Sequence, residues 1–119
     1  MKVIHLSDIP NKENNTSLFT APVTLQSPIT EKESQYNISW IHFPDDVRNK
    51  FHTHTSDQVL IVTEGRGMVA TEEKEIEITK GDIILIPAGE KHRHGAKPGS
   101  AMTHISILAA HQQLKQLED

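Results

Sequence analysis

From Leu18 onward the chain alternates short runs of β-branched and aromatic residues with turn signals. The runs predict strands over Leu18–Gln26, Tyr36–Phe43, Gln58–Thr63, Arg66–Thr71, Lys74–Thr79, Ile83–Ile86, His92–Gly95 and Met102–Leu108. Between them, Pro44-Asp45-Asp46, Thr71-Glu72-Glu73, Lys80-Gly81-Asp82 and Pro87-Ala88-Gly89 supply turn residues. Glu64-Gly65-Arg66-Gly67 has the composition of a hairpin turn. The polar stretch from Pro10 to Asn15 reads as a loop. Only Ala109–Leu117 looks helical, with Leu114 and Leu117 on a docking face and Glu118 and Asp119 past its end. Many short, closely spaced strands predict an all-β sandwich or barrel with a short C-terminal helix. The length suits one domain over residues 1–119, with its barrel core at about 18–108.

The same alternation sorts side chains by face. Alternate residues of a strand point to one side, so His52 and His54 share a face, about 7 Å apart along an ideal strand. Gln58 falls on that face if the strand stays regular, and Leu60 and Val62 continue it. A buried face carrying two imidazoles and an amide must satisfy them, because each unpaired polar group costs a few kcal/mol. One metal ion would satisfy all three. Downstream, His92 and His94 form a second alternating pair and His104 lies in a further strand. A closed barrel would bring these segments together at its mouth.

Other histidines read differently. His5 and His111, near the termini, read as solvated surface. His42 alternates with Ile41 and Phe43 and faces away from them. By parity the inward set adjoining the histidines is Ile41, Phe43, Leu60, Val62, Met102, Ser106 and Leu108, a small and mostly apolar pocket for a small organic molecule. No arginine is obviously aimed into it. Arg93 alternates with the histidines and Arg66 sits in a turn, which weighs against phosphorylated or dicarboxylate substrates.

Composition narrows the function. Eight histidines in 119 residues point to metal or proton chemistry. The absence of cysteine removes disulfides and thiolate ligands. A net charge of −4 argues against a nucleic-acid partner. No apolar run approaches the ~20 residues of a membrane helix, and MKVIHLS is too short for a signal peptide's apolar region. The expected location is the cytoplasm, with no membrane partner. Trp40, Ile61 and other outward apolar residues need cover, from a second copy packed sheet to sheet or from the N-terminal segment and the tail.

The spacing of these residues resembles the cupin superfamily of double-stranded β-helix barrels, which are jelly-roll-like. The first cupin motif, G-x5-H-x-H-x3,4-E-x6-G, is matched from His52 through His54 and Gln58 to Gly65, with Asp46 at the place of the leading glycine. The second, G-x5-P-x-G-x2-H-x3-N, is matched from Gly81 through Pro87 and Gly89 to His92, with Ala96 at the place of the asparagine. Within the superfamily the chain is similar to the small bacterial manganese-dependent cupins that act as hydroxynitrile lyases. It shares their "HTH…Q-x-LIVT-x-G", "PGEKH-x-HGA"-type and "AMTH" strings over about Leu18–Leu108. The resemblance implies metal ligands at His52, His54, Gln58 and His92, with His94 and His104 beside the metal. It also implies manganese, with iron, nickel, cobalt or zinc as alternatives, and a homodimer.

Gln58 is the departure from the commoner glutamate. A carboxylate would reduce a divalent ion to a local charge of about +1, whereas three imidazoles and an amide leave about +2, a stronger Lewis acid and a poorer home for a trivalent state. The implied activity is a lyase acting on a cyanohydrin, in which His104 or His94 takes the hydroxyl proton as cyanide leaves. A metal-dependent dioxygenase and a non-catalytic small-molecule-binding module are the alternatives.

Overall fold

A computed structural model describes residues 1–119 as ten strands: β1 (Lys12–Asn14), β2 (Val23–Ile29), β3 (Tyr36–Phe43), β4 (His52–His54), β5 (Gln58–Ala70), β6 (Glu75–Thr79), β7 (Ile83–Ile86), β8 (Arg93–Ala96), β9 (Met102–Ala109) and β10 (Leu114–Gln116). The helical content is one 3-10 turn at Leu6–Asp8. All pairings are antiparallel, and β1, β2, β3, β9 and β5 follow one another across the main sheet.

The longest strand organises the barrel. The first half of β5 lies between β9 and β7, and its second half pairs with β6 and β8. Glu64-Gly65-Arg66-Gly67 is therefore the middle of one strand and not a hairpin turn. The glycines are there because other chains come close. A Cβ on Gly65, whose φ is +77°, would collide with the carbonyl of Ala101, and one on Gly67 would collide with Gly95 O and Met102 Sδ. The register slips between Val62 and Glu64, bending the strand from one sheet toward the other.

The tail also differs from expectation. Residues 109–117 form no C-terminal helix; Leu114–Gln116 pairs with His52–His54. The edge of the His-Thr-His segment offers unpaired backbone groups. The tail meets them with Gln113 O accepting from Thr55 N and Leu117 N donating to Phe51 O. Those bonds outweigh a marginal amphipathic helix, and Leu114 and Leu117 stay exposed.

The β5 face alternates as its sequence does, with Gln58, Leu60 and Val62 buried. At one end, Val23, Phe43, Val47, Val62, Ile78, Ala96 and Met102 pack as the apolar core, with Ile41 against it. Asp46, at the position of the leading motif glycine, has φ 62°, a left-handed conformation that aspartate tolerates better than most residues. On the opposite face of β3, Trp40 and Ile38 share a cleft with Ile4, Leu6, Pro28 and Ile29. Gln26 Nε2 donates to the carbonyls of Leu6 and Ile9, tying the N-terminal segment there.

Candidate metal centre

His52 and His54 of β4 converge with His92, which lies just before β8. His52 and His92 exchange backbone hydrogen bonds at 3.0 and 3.1 Å, and Gly89 N donates to His54 O. Each of the three rings offers one nitrogen within 4.8 Å of the others, and all three are buried. The other ring nitrogens are already engaged. His52 Nδ1 lies 2.6 Å from Lys50 O, His92 Nδ1 2.8 Å from Glu90 O, and His54 Nδ1 2.8 Å from Gln112 Oε1. All three partners are acceptors, so each Nδ1 carries the proton and each Nε2 keeps its lone pair, the tautomer a metal ligand needs.

Electrostatics favour the same state. Burial pushes His52 down to about 3, with further lowering from His92 and His54. Burial likewise lowers His54 and His92. Three neutral imidazoles therefore face one another at neutral pH, ready to bind a cation without first losing protons.

Two features fit the residues to a metal. His54 Nε2 is buried with no hydrogen-bond partner. Gln58 Nε2 donates to Ser106 Oγ at 3.0 Å, which turns Gln58 Oε1 toward His92 Nε2, 3.1 Å away. With the His92 proton on Nδ1, that contact sets one lone pair against another. A neutral imidazole has a single N–H and cannot serve Glu90 O and Gln58 Oε1 together. A cation among these atoms resolves the conflict and gives His54 Nε2 a partner.

His94 and His104 lie next to this group, completely buried, and burial lowers both, His104 to about 4. His104 Nε2 is 3.0 Å from His94 Nδ1, and Asn49 Nδ2 is 3.1 Å from His94 Nε2. Asn49 Nδ2 is also 3.4 Å from His94 Nδ1, which places it over the His94 ring and out of line with either nitrogen's lone pair. His104 Nδ1 has no hydrogen-bond partner, and its ring packs 5.2 Å from that of Phe43, centroid to centroid.

The remaining inward residues divide. Phe43, Val62 and Met102 belong to the packed core, Leu60 is fully buried between Val62 and Gln58, and Ile41 and Leu108 are half-buried. Ser106 holds the Gln58 amide. His42 lies outside the cluster, bonded to Thr103 and Gln26, and His5 and His111 are exposed. Four contributors carry no signal in the sequence: Asn49, Gln112, and the carbonyls of Lys50 and Glu90, two residues before His52 and His92. Asn49 and Gln112 act on histidines 45 and 58 positions away, so no local spacing betrays them.

A small antiparallel β-barrel with a buried three-histidine cluster defines the class: a barrel whose two short histidine motifs form a group that could hold a metal ion. The family model for the Cupin domain matches residues 40–107, and the chain belongs to that family. Among curated proteins, an (R)-mandelonitrile lyase from Granulicella tundricola is 44% identical over 68 residues, 56% of this chain and 52% of that protein. An acireductone dioxygenase from Parasynechococcus marenigrum is 42% identical over 53 residues, 39% of this chain and 28% of that one. The matches thus span about half of the first relative and less of the second. Among solved structures, a cupin-like protein from Thermotoga maritima superposes with a TM-score of 0.83 at 26% identity, covering 90% of this chain and 84% of that one. A polyketide cyclase from Streptomyces resistomycificus superposes at 0.88 with 17% identity, covering 100% and 87%, a likeness of fold alone.

Proposed function

We propose that the protein is a metal-dependent lyase of the hydroxynitrile lyase type, splitting a cyanohydrin into a carbonyl compound and hydrogen cyanide or joining the two. The observation that carries the reading is His54 Nε2, a buried lone pair without a partner among three imidazoles whose opposite nitrogens are tied to acceptors. The match to an (R)-mandelonitrile lyase supports the reaction class. His52, His54, His92 and the Gln58 carbonyl oxygen would hold the ion, manganese before iron, nickel, cobalt or zinc. Once bound, the ion would supply Lewis acidity to a substrate oxygen.

The chain's own residues do the rest. Ser106 fixes the Gln58 amide, and the Nδ1 partners fix the three rings. His104 Nδ1 is the ring nitrogen left free to exchange a proton with the substrate. Cleavage takes the proton from the carbinol oxygen, breaks the carbon–carbon bond to the nitrile and returns a proton to cyanide, so one proton balances both ends. Phe43 and Leu60 keep the surroundings apolar, which suits a small, uncharged substrate. Exposed Ile83 and Leu85 on β7, with Ile76 on β6, support pairing of two copies sheet to sheet.

The test is elemental analysis of protein purified without added metal, then chelation, reloading with manganese, iron or zinc one at a time, and an assay of mandelonitrile cleavage. Cleavage restored by one of these ions is the expected result, and no cleavage with any of them would refute the lyase. Relatives that are acireductone dioxygenases favour one second reading, a metal-dependent dioxygenase. It predicts oxygen uptake with an enol substrate under iron or nickel instead.

A further inference from the structure

Of the three converging rings, only that of His54 is not held by a carbonyl of its own segment. His52 Nδ1 and His92 Nδ1 each reach the carbonyl two residues earlier, at Lys50 and Glu90. The equivalent carbonyl for His54 is that of His52, which accepts the backbone N–H of His92 at 3.1 Å. His54 Nδ1 lies instead 2.8 Å from Gln112 Oε1, 58 positions later on the tail. That tail leaves the main sheet at the end of β9, turns with Gln112 N donating to Ala109 O, and runs back along β4. It is held there by polar groups. Thr55 N donates to Gln113 O, Gln113 N to Thr55 Oγ1, and Leu117 N to Phe51 O. At its end Glu118 Oε1 accepts Phe51 N–H at 2.7 Å and meets Arg48 Nη1 at 3.4 Å. Leu114 and Leu117, its two large apolar side chains, are exposed. The ion pair joins partly exposed groups, where such pairs contribute little. A segment with exposed backbone bonds and little apolar burial opens locally, before the core does.

We propose that Gln112 is a positioning residue for His54, and that through it closure of the C-terminal strap and occupancy of the metal site favour each other. With the strap closed, the Gln112 oxygen holds the His54 proton on Nδ1 and aims the unpartnered Nε2 at His52 and His92. With it open, His54 loses that partner, its ring can turn or carry its proton on Nε2, and the three-nitrogen group is incomplete. The effect is reciprocal by linkage: whatever factor closure adds to metal affinity, bound metal adds to closure. The ligand is a divalent cation, and the strap sets how firmly it is kept. This rests on the metal centre of the proposed function and not on the lyase reaction.

The experiment uses zinc on the full chain with two readouts: affinity by competition with a chelator, and amide hydrogen exchange at Thr55 and Leu117 with and without the ion. In wild type, zinc should slow exchange at both amides about 10- to 100-fold, the factor by which a group that orients a ligand changes metal affinity. Gln112→Met keeps the reach of the side chain and removes the acceptor. Its zinc affinity should fall by the same factor, and the slowing at Thr55 and Leu117 should disappear. Gln112→Glu supplies an acceptor again and should restore both. Wild-type exchange at these amides that zinc leaves unchanged, or a Gln112→Met chain that binds zinc as tightly as wild type, would overturn the proposal. Should Gln112→Met fail to fold, the wild-type exchange decides alone. A wild type that binds no zinc would sink the metal centre and the strap together. Coupling as expected without mandelonitrile cleavage would sink the lyase and leave the strap supported, whereas cleavage intact with zinc-independent exchange would sink the strap alone.

Discussion

One strand face runs through two unlike regions. At its start, Gln58 sits among His52, His54 and His92; two and four residues later, Leu60 and Val62 lead into a core of Phe43, Met102, Val23 and Ile78. Both regions are equally dry. Leu60 and His104 are each 0% exposed, and His52 and Met102 each 1%. Yet the apolar end gains from burial, about 25 cal/mol for each Å² removed from water. The histidine end loses, because imidazoles buried neutral forgo hydration and one of them lacks a partner. The fold therefore tolerates at the mouth what it would never select for stability, and the core is what makes that tolerable. Substitutions should separate the two regions cleanly.

The largest effect belongs to a proposed metal ligand. His52→Ala removes one of three converging nitrogens and leaves the core untouched. Bound metal should fall below detection by elemental analysis, and cyanohydrin cleavage should drop by at least about a thousandfold, the scale of removing a whole catalytic device. Adding manganese at about 100 times its dissociation constant should stabilise wild type by about 2.7 kcal/mol and the variant not at all. At this size that is a shift in Tm on the order of 10 °C, readable by thermal melting. A variant that still binds metal with wild-type stoichiometry would show that the three nitrogens are not the site.

Acid should expose the same contrast without a mutation. His52 falls from 6.5 to about 3 on burial, His104 to about 4, and His54, His92 and His94 are also lowered. Above pH 6.5 each is neutral whether folded or unfolded, so none costs stability. As the pH falls from about 6.5 toward about 3, the unfolded chain takes up protons that the folded one refuses, and the native state is destabilised. Each histidine that stays neutral steepens the slope by about 1.4 kcal/mol per pH unit. Urea melts of metal-free protein should lose stability steeply below pH 6, and less steeply in His52→Ala. Identical slopes would mean that His52 titrates normally in the fold.

The core end predicts the converse. Met102→Ala should cost about 2–5 kcal/mol by urea melting, the range for cavities left by large apolar side chains, with metal stoichiometry unchanged. Met102 is 1% exposed, packed with Phe43 and Val62, and bonded to none of the three ligand histidines. Metal loss in step with stability would show that core and mouth are one cooperative unit.

How much of this was legible from the chain depends on the range of the contacts. Alternation places Tyr36–Phe43 and Ile83–Ile86 to the residue, because a strand's facing is a local property. The histidine pairs are legible for the same reason, and their spacing from Gln58 and Gly65 carries the cupin resemblance. Gly65 and Gly67 mislead, since they mimic a turn while serving close approach by Ala101, Gly95 and Met102 from distant strands. The tail misleads because its partner, the edge of His52–His54, lies some sixty residues earlier. Asn49 and Gln112 are invisible for that reason too: they position histidines through the fold, with no pattern of their own.

The smallest effect expected is the one that tests why position 58 is an amide. Gln58→Glu keeps the length of the side chain and an oxygen toward His92, and Ser106 Oγ can donate to the carboxylate where it now accepts from the amide. The fold should hold. The added charge attracts a divalent ion, so affinity should rise, read as tighter binding in a metal titration. The same charge reduces the ion's pull on a substrate oxygen, so cleavage should fall on the order of tenfold, about 1.4 kcal/mol of barrier. The two changes run in opposite directions only if the amide serves the chemistry. Were Gln58 present merely to satisfy Ser106 in a buried site, the carboxylate would alter affinity and leave turnover where it was.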